Sequence, residues 1–523
     1  MTEILFCIVL ASALLAIGFC AVKYMHYFQL NSYKFAEHKG WIRRNVGPLS
    51  FVLILAVISM LSAILSVNAS YFVCIAASLV CAAVSKPRSA KLTKKPLVYT
   101  ARVKRMLVTE ALVTVAFLSL WAGLLPSKLL AVGVGILLLV APYLNLIANA
   151  INAPIEKAIA NYYLRDAKRL LDSHPSLRVV GITGSYGKTG TKYALASLLS
   201  YKYNVLMTPA SYNTPMGVTM TVRSSLRATN EIFVCEMGAK YVGDIKELCE
   251  LVDPDIGIIT SVGAQHLETF GSLDAIIGTK FELADYLSKK NCPTVVGADN
   301  ENIKAGLSNR EAKDFILCGT EDGADFRISD VSADENGTSF TLTLKNGESG
   351  RLTVGLLGAH NVSNVACAAA VAHKLGMSFE EIRLAARKIE CAPHRLQMSR
   401  RGRDILIDDA YNANPAGTRA ALEALSLFEG CKIIITPGMI ELGAESDKFN
   451  RRFGSDAAKV CDHIVLVGKK QTEPIAEGAL AEGFDGQRLK VFERVQDAIS
   501  YAFSLSTEQR KIVLIENDLP DNY

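Results

Sequence analysis

Val179-Val180-Gly181-Ile182-Thr183-Gly184-Ser185-Tyr186-Gly187-Lys188-Thr189-Gly190 is the stretch that decides how most of this 523-residue chain folds. Its first five residues read as the end of a buried strand, and the remainder as a phosphate-binding loop. Gly184 and Gly187 let backbone N–H groups turn toward a phosphate, with Ser185, Tyr186 and Gly190 as the rest of the loop. Lys188 can reach the outer phosphate oxygens, and Thr189 offers a hydroxyl to Mg²⁺. Helical spacing from Thr191 to Leu199 would seat the phosphate at a helix N-terminus. The longer form of this motif has glycine where Ile182 stands, so the six residues also fit a tight structural turn. Residues elsewhere have to decide between the two.

Upstream of the loop the chain is unusually apolar. Ile4–Val22, Val46–Val67, Tyr71–Val84, Met106–Leu125 and Leu129–Ala148 carry almost no charge, and most approach the ~20 residues that cross a ~30 Å hydrocarbon core. Tyr71–Val84 is the short one, and Asn68-Ala69-Ser70 before it fits the turn of a re-entrant pair. Five spans are favoured, with four as the alternative. The opening Met1-Thr2-Glu3 lacks the basic start of a cleavable signal peptide.

Charge placement tests that count. Lys23–Arg44 holds five basic residues and one acid, and Lys86–Arg105 holds eight basic residues and no acid. Both should face the cytoplasm. Five spans with an outside N-terminus satisfy this and leave everything after Ala150 inside, as expected of a multi-pass protein of the cell membrane. The net charge of +5 divides unevenly: residues 1–150 hold 14 Lys/Arg and 3 Asp/Glu, and the remainder 42 and 48. The basic excess lies next to the membrane, which suits anionic lipid headgroups, and nothing resembles a nucleic-acid-binding module. Twelve cysteines lack Cys-x-x-Cys spacing and read as reduced, small hydrophobes.

Pro154–Leu171 has apolar residues at helical spacing and reads either as an amphipathic connecting helix or as the first helix of the domain beyond. Short apolar runs at Val179–Thr183, Ile232–Cys235, Ile256–Thr260 and Thr294–Val296 then alternate with helical stretches, the pattern of a mostly parallel sheet. Asp325–Leu356, with Asn346-Gly347 as a hairpin signal, reads as a small antiparallel extension. Ile405–Ile407, Ile433–Thr436, Ile464–Val467 and Ile512–Ile515 supply a second α/β unit. The chain is thus multi-domain: a membrane-helical domain over residues 1–150, a connecting helix over 151–177, a central α/β ATPase-type domain over 178–392 and a Rossmann-like α/β domain over 393–523.

Ligands collect at strand ends in such folds. One strand stops at Glu236-Met237-Gly238-Ala239, which sets a carboxylate near Thr189, and another at Ser261-Val262-Gly263-Ala264-Gln265-His266. Thr183 to Thr189, Tyr212-Asn213-Thr214-Pro215-Met216-Gly217-Val218, Glu236 to Ala239 and His266-Leu267-Glu268-Thr269-Phe270-Gly271-Ser272 together resemble the Mur ligase family. Leu357-Gly358-Ala359-His360-Asn361-Val362-Ser363-Asn364 and Pro393-His394-Arg395-Leu396 agree. Asp408-Asp409-Ala410-Tyr411-Asn412-Ala413-Asn414-Pro415 and Gly438-Met439-Ile440-Glu441-Leu442-Gly443 have the form found in its D-Ala-D-Ala-adding branch.

The resemblance implies an ATP-dependent amide ligase that adds an amino acid or dipeptide to a carboxylate of a cell-wall precursor, UDP-linked or lipid-linked, through an acyl phosphate. It implies that Lys188 stabilises the β- and γ-phosphates, and that Thr189 and Glu236 hold one Mg²⁺. His266 would help hold a second Mg²⁺. Lys280, fourteen residues on, would be carbamylated by CO₂ and so turned into an anion that supports the metal site. Its plain alternative is an exposed helical lysine paired with Glu282 or Asp285. Asn364, with Asn361 near it, would contact adenine, Arg395 the phosphates, and Asp409 the ribose or a metal; each is also read as a capping or turn residue.

Two departures stand out. The membrane block replaces the domain that grips a UDP-linked substrate, and the final strand runs into Ile515-Glu516-Asn517-Asp518 where the branch has a Lys-Gly-Ser-type segment. Amidation or γ-glutamyl extension with a protein partner is the alternative within the ligase class. An ATP-driven transporter or sensor is the alternative outside it, although no Leu-Ser-Gly-Gly-Gln signature is present.

Overall fold

The computed structural model describes residues 2–517 except 32, 45, 87–95, 266, 309, 312–314, 412–413, 440–441 and 443–444, and except the side chains of 36, 44, 46–49 and 268. Two compact units divide the chain, one up to Asn161 and one from Tyr162 onward.

The first unit is helical: α1 (Thr2–Leu30), α2 (Phe35–Arg44), α3 (Val46–Leu61), α4 (Val67–Ser85), α5 (Ala101–Leu124) and the start of α6 (Leu130–Asp172). Each of the five apolar segments is helical, but among the described residues four helices, Thr2–Leu30, Val67–Ser85, Ala101–Leu124 and Ser127–Asp172, are long and apolar enough to cross a bilayer. The short member is Ser50–Ile64, not the segment at Tyr71. Asn68, Ala69 and Ser70 lie inside the first turns of α4 and form no break; the chain turns before them, at Leu65 and Ser66.

Side-chain pairs fix the directions of these helices. Thr2 Oγ1 donates to Asn68 Oδ1 at 3.2 Å, and Cys20 and Cys81 Sγ lie 3.8 Å apart, so α1 and α4 run parallel. Asn152 Nδ2 donates to Thr109 Oγ1 at 2.8 Å and Trp121 Nε1 to Leu129 O at 2.8 Å, so α5 and α6 run antiparallel. Gln29 clamps Val98 from both sides, accepting from its N–H and donating to its carbonyl at 2.9 Å each. That clamp brings Gln29 and Val98, one from each basic segment, to one end of the helical unit, as is required if both segments face one side of a membrane.

The last apolar segment and the predicted connecting helix are one uninterrupted helix, α6, with Pro142 and Pro154 inside it. From Tyr162 it belongs to the second unit, where Ala167 and Leu171 pack in the core with Val179 and Phe233. Arg223 Nε donates to Asp166 at 2.6 Å and Lys168 Nζ to the Glu250 carbonyl at 2.7 Å.

Nine strands of the second unit form one sheet: β1 (Arg178–Thr183), β2 (Val205–Met207), β3 (Ile232–Glu236), β4 (Ile256–Ile259), β5 (Thr294–Gly297), β6 (Phe315–Gly319), β7 (Phe326–Asp334), β8 (Gly337–Leu344) and β9 (Ser349–Val354). Their order is β2-β3-β1-β4-β5-β6-β7-β8-β9, parallel through β7 and antiparallel beyond. The predicted extension is therefore the continuation of the main sheet, joined through β6 and β7. Helices cover both faces of the parallel part, which is why its strands are apolar throughout. Val180 and Ile182 of β1 point to one core with Ile232 and Val234, and Val179 points to the other with Phe233 and Cys235.

A second sheet contains β10 (Gln397–Arg401), β11 (Asp404–Asp409), β12 (Cys431–Thr436), β13 (His463–Val467), β14 (Leu489–Phe492) and β15 (Lys511–Glu516), in the order β10-β11-β15-β12-β13-β14. Only β10 runs antiparallel to its neighbour. Strands β2, β6, β10 and β14 escape the sequence reading: β2 is three residues long, and β10 is polar.

Phe233 is fully buried on β3, between β2 and β1 of the first sheet. Phe233→Ala should destabilise the second unit by ~3–5 kcal/mol, the range for large aromatic truncations in a core, read as a lower urea midpoint for that unit of the full chain.

Candidate functional site

The strand order reverses around β1, which lies between β3 and β4, so the C-terminal end of β1 opens into the crevice where ligands bind in open α/β sheets. The Gly184–Thr189 loop occupies that end. Gly187 has φ +84° and precedes the helix Lys188–Leu199, and Gly184 has φ +148°. A Cβ on Gly184 would lie 2.1 Å from Thr260 Oγ1, and one on Gly187 2.5 Å from Asn364 Oδ1. Both positions thus need glycine for conformation and for space.

Residues after β4 brace the loop from one side. Thr260 Oγ1 donates to the Tyr186 carbonyl at 2.5 Å and Ser261 Oγ to the same oxygen at 3.1 Å. Ser185 N donates to the Ser261 carbonyl at 2.6 Å, and its hydroxyl bonds the backbone of Gly263 at 3.0 Å. Lys188 Nζ folds back onto the carbonyls of Gly184 and Ser185 at 2.7 and 3.0 Å. Burial pulls its pKa down to about 8, with Arg395 pushing the same way and Glu236 opposing.

Parallel pairing of β1 with β3 sets Ile182 opposite Glu236, which brings the Glu236 carboxylate to the loop. Glu236 accepts from Thr189 Oγ1 at 3.1 Å and from Asn213 Nδ2 at 3.0 Å, and pairs with Lys192 Nζ at 3.1 Å. The Lys192 and Glu236 side chains are 0% and 2% exposed. Sequence reading missed Lys192; its signal was a lysine one helical turn beyond Thr189, on a face otherwise filled by Thr191, Ala194 and Leu195, which are buried too.

Lys280 lies in the helix Leu273–Ser288 and is 3% exposed. The surface-lysine alternative does not hold, because Glu282 turns away to accept from the N–H groups of Gly243 and Lys246, and Asp285 pairs with Arg310. Burial, with Lys188 nearby, lowers the Lys280 pKa to about 7 against the opposing pull of Asp244 and Glu282. His266 lies outside the described residues, as do Asn412, Ala413, Ile440, Glu441 and Gly443 of the later motifs.

Asn361 and Asn364 stand in the first turn of the helix Asn361–Lys374, both within 4 Å of a Cβ built on Gly190. Asn361 Nδ2 is engaged by the Leu357 carbonyl at 2.9 Å. Arg395 follows His394, which has φ +57°, and its guanidinium stacks over Tyr411 at 4.3 Å. The Tyr411 hydroxyl meets Ser211, linking the second sheet to the first. Asp409 Oδ1 accepts from Leu396 N at 3.1 Å, and Asp409 sits opposite Glu516 in the β11–β15 pair. Burial raises both carboxyl pKa values, Glu516 the more, and a hydrogen bond joins the two side chains. Like charges this close share a proton. Sequence reading missed the partnership, although a carboxylate closing an apolar strand, Glu516, was its visible sign.

The donor set fits a nucleotide and Mg²⁺. Positive-φ glycines leave room for phosphate oxygens, Lys188 supplies a cation, and the Thr189 hydroxyl beside the Glu236 carboxylate offers the hard oxygen ligands that Mg²⁺ takes. Lys192→Met would leave Glu236 buried without its cation, and breaking such a pair costs ~3–5 kcal/mol. The loss, read as a lower melting temperature of the second unit, should shrink when Mg²⁺ and nucleotide are added, since they supply positive charge at the same carboxylate.

Comparison with known proteins agrees with this geometry. Residues 182–372 match the Mur ligase middle domain, and residues 394–516 match the Mur ligase glutamate ligase domain. The UDP-N-acetylmuramoyl-tripeptide–D-alanyl-D-alanine ligase of Escherichia coli is 32% identical over 336 residues, 62% of this chain and 73% of that protein. The enzyme of the same name from Mycobacterium bovis is 34% identical over 321 residues, 59% of this chain. The chain spans 62% of the length of that mycobacterial relative. A crystal structure of MurF from Acinetobacter baumannii superposes with a TM-score of 0.63 at 28% identity, covering 69% of this chain and 78% of that one. MurF from Thermotoga maritima in complex with ADP gives 0.59 at 25% identity, over 69% and 80%. Sequence motifs, sheet order, loop geometry and relatives coincide, and the chain belongs to the Mur ligase family.

Proposed function

We propose that this protein is a membrane-anchored, ATP-dependent amide ligase that joins an amino acid or dipeptide to a carboxylate of a cell-wall precursor. The observation that carries the reading is Glu236, held at the end of β3 by Thr189, Lys192 and Asn213, with Lys188 of the loop and buried Lys280 close enough to feel each other's charge. Such a site positions and neutralises anions more than it provides a base, which is what phosphoryl transfer to a carboxylate requires.

In this reading Lys188 leaves its two loop carbonyls for the phosphates of ATP, and Arg395, stacked on Tyr411, approaches them from the second sheet. Thr189 and Glu236 would hold Mg²⁺, and His266 and Lys280 would help hold a second ion; bound Mg²⁺ would supply the positive charge that screens the repulsion between phosphoryl group and acceptor carboxylate. The incoming amine would then attack the acyl carbon of the acyl phosphate, forming the C–N bond and losing a proton as the C–O bond breaks and inorganic phosphate leaves. Asn361 and Asn364 lie on the adenine side, and Asp409 toward the ribose.

The lowered pKa of Lys280 supports its carbamylation. CO₂ reacts with the neutral amine, and a lysine titrating near 7 is mostly neutral above that pH, whereas an ordinary lysine is not. Carbamate formation at Lys280 should therefore rise with pH through about 7. Activity should fall in CO₂-stripped buffer and return with bicarbonate, and Lys280→Ala should be inactive and insensitive to both.

The relatives' names specify a UDP-linked tripeptide and D-alanyl-D-alanine. Apolar helices ahead of the ligase domains favour a lipid-linked acceptor, and Glu516 at the end of β15 favours an amine other than D-Ala-D-Ala. Incubation of purified protein with ATP, Mg²⁺ and panels of UDP-linked and lipid-linked precursors, with products identified by mass, tests both points. Amide products with D-Ala-D-Ala on UDP-linked acceptors alone would remove the lipid-linked and altered-amine parts. Lys188→Ala should lower turnover by ~10²-fold or more, the scale for losing one charge-stabilising group; turnover that survives it would overturn the loop assignment.

A further inference from the structure

Between β2 and the helix Pro215–Ser225 lies a short segment, Ala210–Asn213, pinned at three points. The Ala210 carbonyl accepts from Lys192 Nζ at 2.5 Å, the Ser211 hydroxyl meets the Tyr411 hydroxyl, and Asn213 Nδ2 donates to Glu236 Oε1 at 3.0 Å. Two turns tighten it, since Tyr212 N donates to the Pro209 carbonyl at 3.0 Å and Asn213 N to the Ser211 carbonyl at 2.8 Å. The Asn213 carbonyl accepts from Gly238 N at 2.8 Å, which ties the segment to the residues that follow Glu236. Ala210 has φ +42°, a conformation that costs an alanine and persists where neighbours hold it.

Tyr411 follows β11 in the second sheet, and its ring carries the Arg395 guanidinium at 4.3 Å. Arg395 stands between two residues in the left-handed region, His394 at φ +57° and Leu396 at φ +52°. Arg395 and Glu236 act in opposite directions on the charge of Lys188, so both face the phosphate loop. Contacts therefore run unbroken from Glu236, through Lys192 and Asn213, into Ala210–Asn213, and on through Tyr411 to Arg395. Arg510 joins the two sheets separately, through Glu335 at the β7–β8 turn.

We infer that Ser211 and Tyr411 are positioning residues for the Mg²⁺ site, acting through Ala210–Asn213 to link the seat of Arg395 to the state of Glu236. The inference rests on the reading of the loop as a Mg²⁺–nucleotide site. Thr189 and Lys192 meet the same carboxylate oxygen, Glu236 Oε2, each at 3.1 Å, so a metal ion beside Thr189 and the Lys192 ammonium repel each other there. The Ala210 carbonyl draws that ammonium partly away, and it keeps its place because Ser211, next to it, is tied to Tyr411. Without the tie, Lys192 bears on Glu236 alone and Asn213 loses its fixed approach; both changes disfavour the metal ion. Linkage is reciprocal, so an ion held at Glu236 strengthens the Ser211–Tyr411 contact and with it the seat of Arg395.

The test titrates MgCl₂ into the full chain in detergent with the β,γ-methylene analogue of ATP, and reads the Mg²⁺ concentration that half-saturates analogue binding. Tyr411→Phe keeps the ring under Arg395 and removes the hydroxyl, and Ser211→Ala removes the other half of the same contact. Each should raise the half-saturating Mg²⁺ concentration by about 5-fold or more, the lower end of coupling between linked sites. The double variant should do no more than either alone, because both remove one contact. Arg510→Met, which removes the contact with Glu335, should leave the Mg²⁺ requirement unchanged. A requirement unchanged in both single variants would overturn the inference, as would effects that add in the double variant. So would an equal shift in Arg510→Met, the mark of a general loosening between the sheets. Wild-type protein that binds no analogue would remove the nucleotide reading itself, and the inference with it.

Discussion

The buried pair of Lys192 and Glu236 is the constraint on which the loop end of the first sheet depends. Burying a carboxylate at the end of an interior strand is costly without compensation, and here a lysine, a hydroxyl and an amide surround it. The compensating groups come from two segments: Lys192 and Thr189 from the helix after the loop, Asn213 from the segment after β2. Satisfying one charge therefore fixes the positions of β1, β3, the loop and the helix relative to one another. The Ala210 carbonyl, which accepts from Lys192 Nζ at 2.5 Å, draws the following segment into the same network.

The second sheet reaches that network through polarity of another kind. Arg395, Asp409 and Glu516 cluster where β11 and β15 end, and Tyr411 carries Arg395 on its face while its hydroxyl meets Ser211. Arg510 pairs with Glu335 at the β7–β8 turn, so the two sheets are joined at two separated places. His394 and Leu396, both in the left-handed region, bracket Arg395. The backbone bends there because Asp409 takes the Leu396 N–H and Asp408 takes His394 Nδ1 at 2.8 Å.

How much of this was legible follows from how local each signal is. The loop, the strand ends at Glu236 and Thr260 and the Asn346-Gly347 hairpin are written in contiguous residues and could be read directly. Lys192 could not, because its meaning lies in a partner 44 positions away whose burial no pattern announces. Strand β10 reads Gln397-Met398-Ser399-Arg400-Arg401, an edge strand with Met398 alone to mark it. Lengths of the apolar helices were misjudged where turns are polar but helical: Asn68 to Ser70 start α4, and Pro154 continues α6. A serine frees no backbone group, and a proline breaks a helix only when no neighbour satisfies the carbonyl it frees.

Gly184 to Thr189 is held by bonds from Thr260, Ser261 and Ser185 to backbone around it, and a Cβ at Gly184 or Gly187 would run into Thr260 or Asn364. The course of the loop is therefore set by its neighbours and not by side chains of its own glycines. A segment shaped in this way costs little to order when something binds to it. Lys188 Nζ lies on the carbonyls of Gly184 and Ser185, so its ammonium and the backbone N–H groups of the loop face the same small volume. Only an anion can satisfy both at once, and the selectivity of this corner for negative charge follows from where one side chain sits.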